Sequence, residues 1–182
     1  MAYAKQNPGK ITYATTGIGS SQHVTAEMFS QVTGAQLLHV PYTGSSPAFQ
    51  DLLANHIDLS FETALVSAVN NLSTGKLKII AITGPERSSA APEVPSVAES
   101  GYPDFSAQGW FGLFGPAGLP NDIVKKLNDA LQKTLTSPEV IERFRTLGVM
   151  PDPQTPEVFK AFLKAENAKW GVVAKSLNLE LD

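Results

Sequence analysis

The residue types with the most evident chemistry form a short run of hydroxyls and glycines from Thr15 to Ser21. Residues 10–14 before this run are rich in β-branched and aromatic types and predict a strand, whereas Ser20 and Ser21 predict the cap of a helix that ends near Thr33. A helix that begins after a glycine-containing loop directs unpaired N–H groups, with about half a positive charge, at the loop mouth. This pattern predicts an anion site, and its alternative is an ordinary turn between a strand and a helix.

Two later loops are predicted to open at the same edge of the sheet. Residues 36–40 and 57–61 predict strands, and each is followed by a predicted helix, the second over about residues 64–73. In the first of these helices Ser46 is the expected cap and Pro47 the first helical residue. The candidate ligand-binding residues of the three loops are Thr15, Thr16, Gly17, Gly19, Ser20, Ser21, His23, Tyr42, Gly44, Glu62 and Thr63.

An anion in these loops would be held by backbone dipoles and neutral hydrogen bonds, because no Lys or Arg lies in any of them. Tyr42 is either part of the pocket or plain packing. Glu62 either binds a ligand ammonium or hydroxyl group or accepts hydrogen bonds from neighbouring loop N–H groups, and the second interpretation is favoured. His23 and Glu27 are four residues apart and make no metal site by themselves, so a surface pair or a histidine that braces the loop is favoured.

Composition and motifs argue against several classes of function. The net charge is −3 and the chain has no basic run, which argues against nucleic acid and against an electrostatic membrane surface. The sequence contains no cysteine, no G-x-S-x-G elbow, no H-E-x-x-H motif, no phosphate-binding loop and no complete dinucleotide fingerprint. We therefore expect no catalytic residues, no metal and no cofactor. No apolar run is as long as a membrane span, and the N-terminal residues do not form a signal peptide.

The alternation of predicted strands and helices indicates an α/β fold with a mainly parallel sheet flanked by helices. Residues 78–82 are almost entirely apolar and predict a further strand, buried on both faces. In the first long helix, Val24, Met28 and Val32 recur every four residues and predict one apolar face.

The second half of the chain changes character. Residues 83–104 predict a surface loop with a short helix at 96–100, and the apolar residues 105–114 predict a strand that crosses between lobes. The remaining predicted elements are amphipathic helices at residues 121–135, 137–147 and 155–177, and a short strand at Val149 and Met150.

Five motifs follow one another along residues 1–120: Asn7-Pro8-Gly9-Lys10-Ile11-Thr12-Tyr13, Gly17-x-Gly19-Ser20-Ser21-x-His23, His39-Val40-Pro41-Tyr42-x-Gly44, Pro92-x-Val94-Pro95-Ser96-Val97-Ala98-Glu99-Ser100-Gly101 and Trp110-Phe111-Gly112-Leu113-Phe114-x-Pro116-Ala117-Gly118. Each motif alone is weak, whereas the five in this order are specific. In this combination the chain resembles the TctC or Bug-type solute-binding proteins of tripartite tricarboxylate transporters.

The resemblance implies a periplasmic-binding-protein-like fold, in which two α/β lobes close on a small carboxylate and deliver it to membrane subunits of the transporter. The ligand would be a di- or tricarboxylate, an amino acid or an aromatic acid, and the protein a periplasmic receptor and not an enzyme. Residues 1–108 would be the second ligand-binding lobe. Residues 109–182 would be the crossover strand and the C-terminal helices that return to the first lobe.

The same resemblance implies that the family's signal peptide and most of its first lobe would precede Met1, so that this chain would hold half of a site. Two other interpretations stay open. One is an α/β nucleotide-binding or enzymatic domain. The other is a fragment without ligand function that self-associates, as a homodimer, through apolar surface around residues 110–114.

Overall fold

A computed structural model describes residues 1–62 and 65–177 of the chain. Short strands alternate with helices in the first part of the chain, and three longer helices follow in the second part. The elements are α1 (Ala2–Gln6), β1 (Thr12–Thr15), α2 (Ser21–Thr33), β2 (Leu38–Pro41), α3 (Ser45–Leu53), β3 (Leu59–Ser60), α4 (Val66–Leu72), α5 (Asn121–Leu135), α6 (Pro138–Thr146) and α7 (Pro156–Ser176).

The strands form a parallel sheet in the order β2-β1-β3, with β1 in the centre. Thr15 pairs with Pro41 on one side of β1, and Ala14 pairs with Ser60 on the other side. Because the strands run in the same direction, the loops that follow them leave at one edge of the sheet. The prediction of an α/β fold with a parallel sheet flanked by helices is confirmed.

Two apolar clusters hold helices α2, α3 and α7 in place. In the first, Ala14 of β1 packs with Ala48 of α3, and both small side chains are almost completely buried. In the second, the buried ring of Phe105 is surrounded by Phe29 of α2 and Trp170 of α7, among others. The second cluster therefore joins α7 to the part of the chain that carries the sheet.

The predicted strand at residues 78–82 is wrong. Within it, Ile82 alone pairs with another described residue, in an isolated parallel bridge to Ser96, and Ile80 is 68% exposed. A strand needs a neighbouring strand that shares its backbone hydrogen bonds, and among the described residues the bridge at Ile82 is the only such pairing of this segment. The predicted helix at residues 96–100 is instead a single turn, in which the N–H of Ser100 donates to the carbonyl of Ser96 at 3.1 Å.

The apolar segment 105–114 is not a strand either. The N–H of Ala107 donates to the carbonyl of Thr83 at 2.8 Å, but no ladder continues from this bond among the described residues. Within this segment Phe111 is 88% exposed. The predicted strand at Val149 and Met150 is also wrong, since the N–H of Val149 donates back to Phe144 at the end of α6.

Two helices differ in detail from the prediction. Helix α3 has Gly44 as its N-cap and includes Ser46, which does not cap it, while Pro47 lies in the first turn but is not the first helical residue. The apolar face expected on α2 is incomplete because Val32 is exposed. The side chains that α2 buries are those of Gln22, His23, Ala26 and Thr33.

The three C-terminal helices agree with the prediction. Helix α7 contacts both sides of the expected boundary at residue 108, because Phe159 packs edge-on against Trp110, whereas Trp170 belongs to the Phe105 cluster. Near its end, Ser176 accepts a hydrogen bond from Gln31 of α2 at 2.6 Å. The division into residues 1–108 and 109–182 stays a prediction. No helix in the described ranges has the length and apolar character needed to cross a membrane.

Candidate ligand-binding site

The loops after β1 and β2 lie side by side at the carboxyl edge of the sheet. The register that pairs Thr15 with Pro41 continues for one more bond, in which the N–H of Tyr42 donates to the carbonyl of Thr15 at 2.9 Å. Helices α2 and α3 start a few residues later, at Ser21 and Ser45. The two helix N-termini therefore open at a common rim, as the sequence predicted.

The loop from Thr15 to Ser21 is open to solvent at its tip, where Ile18 is 72% exposed. Two glycines give the loop its shape, Gly17 with φ of 127° and Gly19 with φ of 77°, which are values that other residues rarely adopt. Ser20 ends the loop as the N-cap of α2, and its Oγ accepts a hydrogen bond from the N–H of His23 at 3.3 Å. The cap predicted at Ser20 is confirmed.

Two buried polar side chains of α2 fasten the loop from within. Gln22 is 5% exposed and its Oε1 accepts the N–H of Thr16 at 2.8 Å. His23 is 7% exposed and its Nδ1 accepts the N–H of Gly19 at 3.1 Å. The structure therefore supports the interpretation of His23 as a brace of the loop.

Behind His23 lies a stack of rings that connects α2 to the sheet. The rings of His23 and His39 stack with centroids 4.2 Å apart, and Tyr13 also stacks on His39 at 5.0 Å. The hydroxyl of the fully buried Tyr13 donates to Oε1 of Glu27 at 2.6 Å. Glu27 thus contacts Tyr13, and the described residues contain no group of three side chains suited to hold a metal ion.

Burial controls the ionisation of this cluster. It lowers the pKa of His23 below its ordinary value, and the carboxylate of Glu27 opposes this shift. Burial also lowers the pKa of His39, with a further contribution from the neighbouring His23. The pKa of Tyr13 is raised, first by burial and then by its hydrogen bond to Glu27. Both imidazoles are therefore held in the neutral form over a wider pH range than exposed histidines.

Thr15 is part of the same internal network. Its side chain is fully buried, and Oγ1 lies 2.7 Å from Nε2 of His39 and 3.2 Å from both the nitrogen and the carbonyl oxygen of Gly17. The hydroxyl of Thr15 therefore holds the start of the loop and is directed away from the open rim.

Several backbone N–H groups at the rim have no hydrogen-bond acceptor among the described residues. In the first loop they belong to Ile18, Ser21 and Gln22, and in the second loop to Ser45 and Ser46. The hydroxyl of Ser21 is exposed and also makes no hydrogen bond within the described part. This is the arrangement from which a helix N-terminus binds an anion.

The remaining candidates take different positions. The hydroxyl of Tyr42 donates to Oδ2 of Asp51 at 2.7 Å, so that the end of its side chain is bonded to α3. Glu62 follows β3 and accepts a hydrogen bond from the hydroxyl of Ser60, and no backbone N–H group of the described residues donates to it. Gly44 is half-buried at the start of α3. Thr63 lies outside the described residues.

Gln22 and His39 are residues of this site that sequence reasoning missed. Gln22 occupies the position where a dinucleotide fingerprint would have its third glycine, and His39 lies in a predicted strand. Buried polar side chains need hydrogen-bond partners, and an exposed loop beside them supplies unpaired N–H groups. A polar residue on the inner face of the helix was the signal that could have found Gln22.

Comparison with known proteins gives the family. The model described as "Tripartite tricarboxylate transporter family receptor", TctC, matches residues 1–179. Protein BugT of Bordetella pertussis is 33% identical over 181 residues, which cover 100% of this chain and 55% of that protein. The chain spans about half the length of the curated relatives it matches.

Solved structures agree. The chain is similar to R. palustris Rpa4515 with adipate, with 31% identity and a TM-score of 0.84, over 96% of this chain and 58% of that one. It is similar to the periplasmic binding protein BugD, with 34% identity, a TM-score of 0.79 and coverage of 98% and 60%. It is also similar to MatC (Rpa3494) from Rhodopseudomonas palustris with bound malate, with 31% identity, a TM-score of 0.78 and coverage of 94% and 59%.

These proteins are solute receptors and not enzymes, and family members are periplasmic binding proteins. The five motifs, the parallel sheet and the paired helix N-termini all lie within the matched residues. The chain belongs to the TctC family, the receptors of tripartite tricarboxylate transporters.

Proposed function

We propose that this chain supplies one side of a receptor site for a small dicarboxylate, and that the ligand's carboxylate binds at the rim between the loops after β1 and β2. The observation that carries the proposal is the set of backbone N–H groups without an acceptor at the starts of α2 and α3. Structural relatives that carry adipate and malate favour a dicarboxylate ligand.

Neutral donors determine how tightly such a site binds. Each hydrogen bond to a charged group contributes roughly 1.5–3 kcal/mol, and micromolar affinity requires about −8 kcal/mol. The loops contain no Lys or Arg, so three or more backbone donors must act together. A site with one open side therefore binds weakly, and groups that cover the ligand from the opposite side raise its affinity.

Of the predicted site residues, we propose that Ser20, Ser21, Gly17, Gly19 and Thr16 form the contact loop. Tyr42, Gly44, Glu62 and Thr63 remain proposed members of the surrounding wall. Thr15 and His23 are proposed to act from behind the loop, because both side chains are buried and bonded to it.

The wider setting is also part of the proposal. The chain would work in the periplasm and pass its ligand to the membrane subunits of a tripartite transporter, as its family does. We also propose that the exposed apolar residues around Phe111 allow two copies of the chain to associate as a homodimer.

A titration followed by two-dimensional ¹⁵N NMR tests the ligand proposal. Malate or adipate should shift the amide signals of Ile18, Ser21 and Gln22, together with those of Ser45 and Ser46. The uncharged analogue 1,6-hexanediol should leave them unchanged. A folded protein whose loop signals do not respond to either acid would contradict the proposal.

A further inference from the structure

We propose that His23 is a positioning residue that shapes the ligand loop only while its Nδ1 carries no proton, so that acidification weakens carboxylate binding. This inference rests on the proposed function of the loop. It concerns a side chain that is buried beneath the site and need not touch the ligand.

The hydrogen bond between Gly19 and His23 determines which ring nitrogen carries the proton. The backbone N–H of Gly19 is a donor and cannot accept, so Nδ1 of His23, 3.1 Å away, must present a lone pair. A neutral imidazole with a lone pair on Nδ1 carries its proton on Nε2. Protonation of Nδ1 places two donors opposite each other, and the bond is lost.

The same hydrogen bond helps to hold the shape of the loop. Gly19 has φ of 77° and lies next to Ser20, whose hydroxyl caps α2 through the N–H of His23 itself. The same residue thus holds the loop twice, through its ring and through its backbone. Loss of the ring contact frees the peptide group between Ile18 and Gly19, whose N–H makes the bond, and with it the orientation of the neighbouring N–H groups of Ile18 and Ser21.

The surroundings of the His23 ring affect how readily it takes up a proton. The titratable groups that face it are His39 on β2, stacked at 4.2 Å, and Glu27, one turn further along α2. Tyr13 on β1 stacks on His39 and donates its hydroxyl to Glu27. A proton on His23 is disfavoured by burial and favoured by Glu27. A proton on His39 is disfavoured by burial and by the neighbouring His23. The pKa of each imidazole therefore lies below the ordinary value of histidine.

The test compares malate affinity between about pH 8 and about pH 5 for three proteins. In the wild-type chain the affinity should fall, approaching tenfold per pH unit below the pKa of His23 if only the neutral form binds. His23→Asn should remove most of this dependence, because an amide oxygen can accept from Gly19 without titrating. His39→Gln should retain the fall, since His23 is still present. Ionisation of malate itself affects all three proteins equally.

The results distinguish the positioning role of His23 from the proposed carboxylate site. Wild-type affinity that stays flat, or a His23→Asn profile that falls in parallel with the wild type, overturns the positioning role and leaves the carboxylate site standing. Failure of all three proteins to bind at any pH overturns the proposed function, and with it the effect on affinity.

A second measurement needs no ligand. Long-range ¹H–¹⁵N spectra should show the proton of His23 on Nε2 at neutral pH. The amide proton signal of Gly19 should move with the same midpoint as the His23 ring. A proton on Nδ1 at neutral pH would contradict the inference. So would a Gly19 amide signal that does not change as the His23 ring titrates, whether or not ligand binds.

Discussion

The imidazole Nδ1 of His23 lies 3.1 Å from the backbone nitrogen of Gly19, four residues earlier in the chain. Helix α2 thus reaches back with its own side chain to hold the loop that precedes it. The contact removes one N–H group from the loop mouth and leaves those of Ile18 and Ser21 without an acceptor among the described residues.

Removal of a single N–H group tests the contact loop. Ser21→Pro deletes the N–H of the first helical residue, a position where proline is tolerated, and Ser20 already has the extended conformation, with φ of −62° and ψ of 158°, that precedes a proline. We expect malate affinity to fall by roughly 10- to 150-fold, the value of one hydrogen bond to a charged group.

The matched control is Ser21→Ala, which keeps the N–H group and removes the hydroxyl. NMR titration gives both affinities, and thermal unfolding should show that both variants fold. Equal affinities for the proline and alanine variants would rule out the Ser21 N–H as a donor to the ligand.

Backbone conformation at Gly19 is the subject of the next prediction. A Cβ at Gly19 meets no atom within 4 Å, but φ of 77° makes any side chain strained by about 1–2 kcal/mol. Gly19→Ala should therefore lower stability modestly and also weaken ligand binding as the loop relaxes.

Gly9→Ala is the matched control, because Gly9 has a similar φ of 71°, equally free space and a position away from the rim. It should lose similar stability in urea unfolding and keep its ligand affinity. Should both variants bind malate like the wild type, the shape of the loop at Gly19 would be irrelevant to binding.

Stability should depend on pH through His23 and His39. Both have pKa values lowered mainly by burial, whereas in the unfolded chain each titrates near 6.5. As the pH falls below about 6.5, the two histidines bind protons in the unfolded chain but remain neutral in the folded chain. The free energy of unfolding therefore decreases until the native pKa values are reached.

Urea unfolding at a series of pH values measures this loss. The double variant His23→Asn/His39→Gln should show a flatter profile between about pH 6.5 and about pH 5, because it lacks both titrating groups. A wild-type profile with no slope in that window would show that the two imidazoles titrate as they do in the unfolded chain.

Self-association is expected to depend on the exposed aromatic segment. Phe111 is 88% exposed, and replacing it by serine removes an apolar contact worth roughly 1.5–3 kcal/mol when buried. Light scattering at rising protein concentration should show a dimer for the wild type and a monomer for Phe111→Ser. Val172→Ser, at a residue of α7 that is 70% exposed, serves as the control and should still associate. A monomeric wild type would refute the homodimer.

Local signals explain which elements the sequence predicts well. Strand β1 is predicted by the β-branched and aromatic residues that favour strands, and the Ser20 cap by a hydroxyl three residues from its partner. Both signals lie among near neighbours in the chain. The amphipathic helices α5, α6 and α7 are recognised for the same reason. The family motifs likewise lie in continuous segments.

The strands expected at residues 78–82 and 105–114 fail because a strand exists only where another strand offers its N–H and C=O groups. Apolar content reports burial and says nothing about that partner. In the described structure the pairing of these segments is limited to a bridge between Ile82 and Ser96 and a hydrogen bond from Ala107 to Thr83, and the N–H of Phe105 donates within a turn to Tyr102.

The sequence by itself determined the family, the α/β class and the loop that starts at Thr15, because each is encoded in short stretches of chain. The tertiary structure alone decided what lies beneath that loop. Thr15 and His39 are 24 residues apart in sequence and meet at 2.7 Å only because β1 and β2 pair in parallel. The direction of a side chain and its partners from distant parts of the chain follow from packing. For that reason the contacts of His39 with Thr15 and of Gln22 with Thr16 exist only in the folded chain.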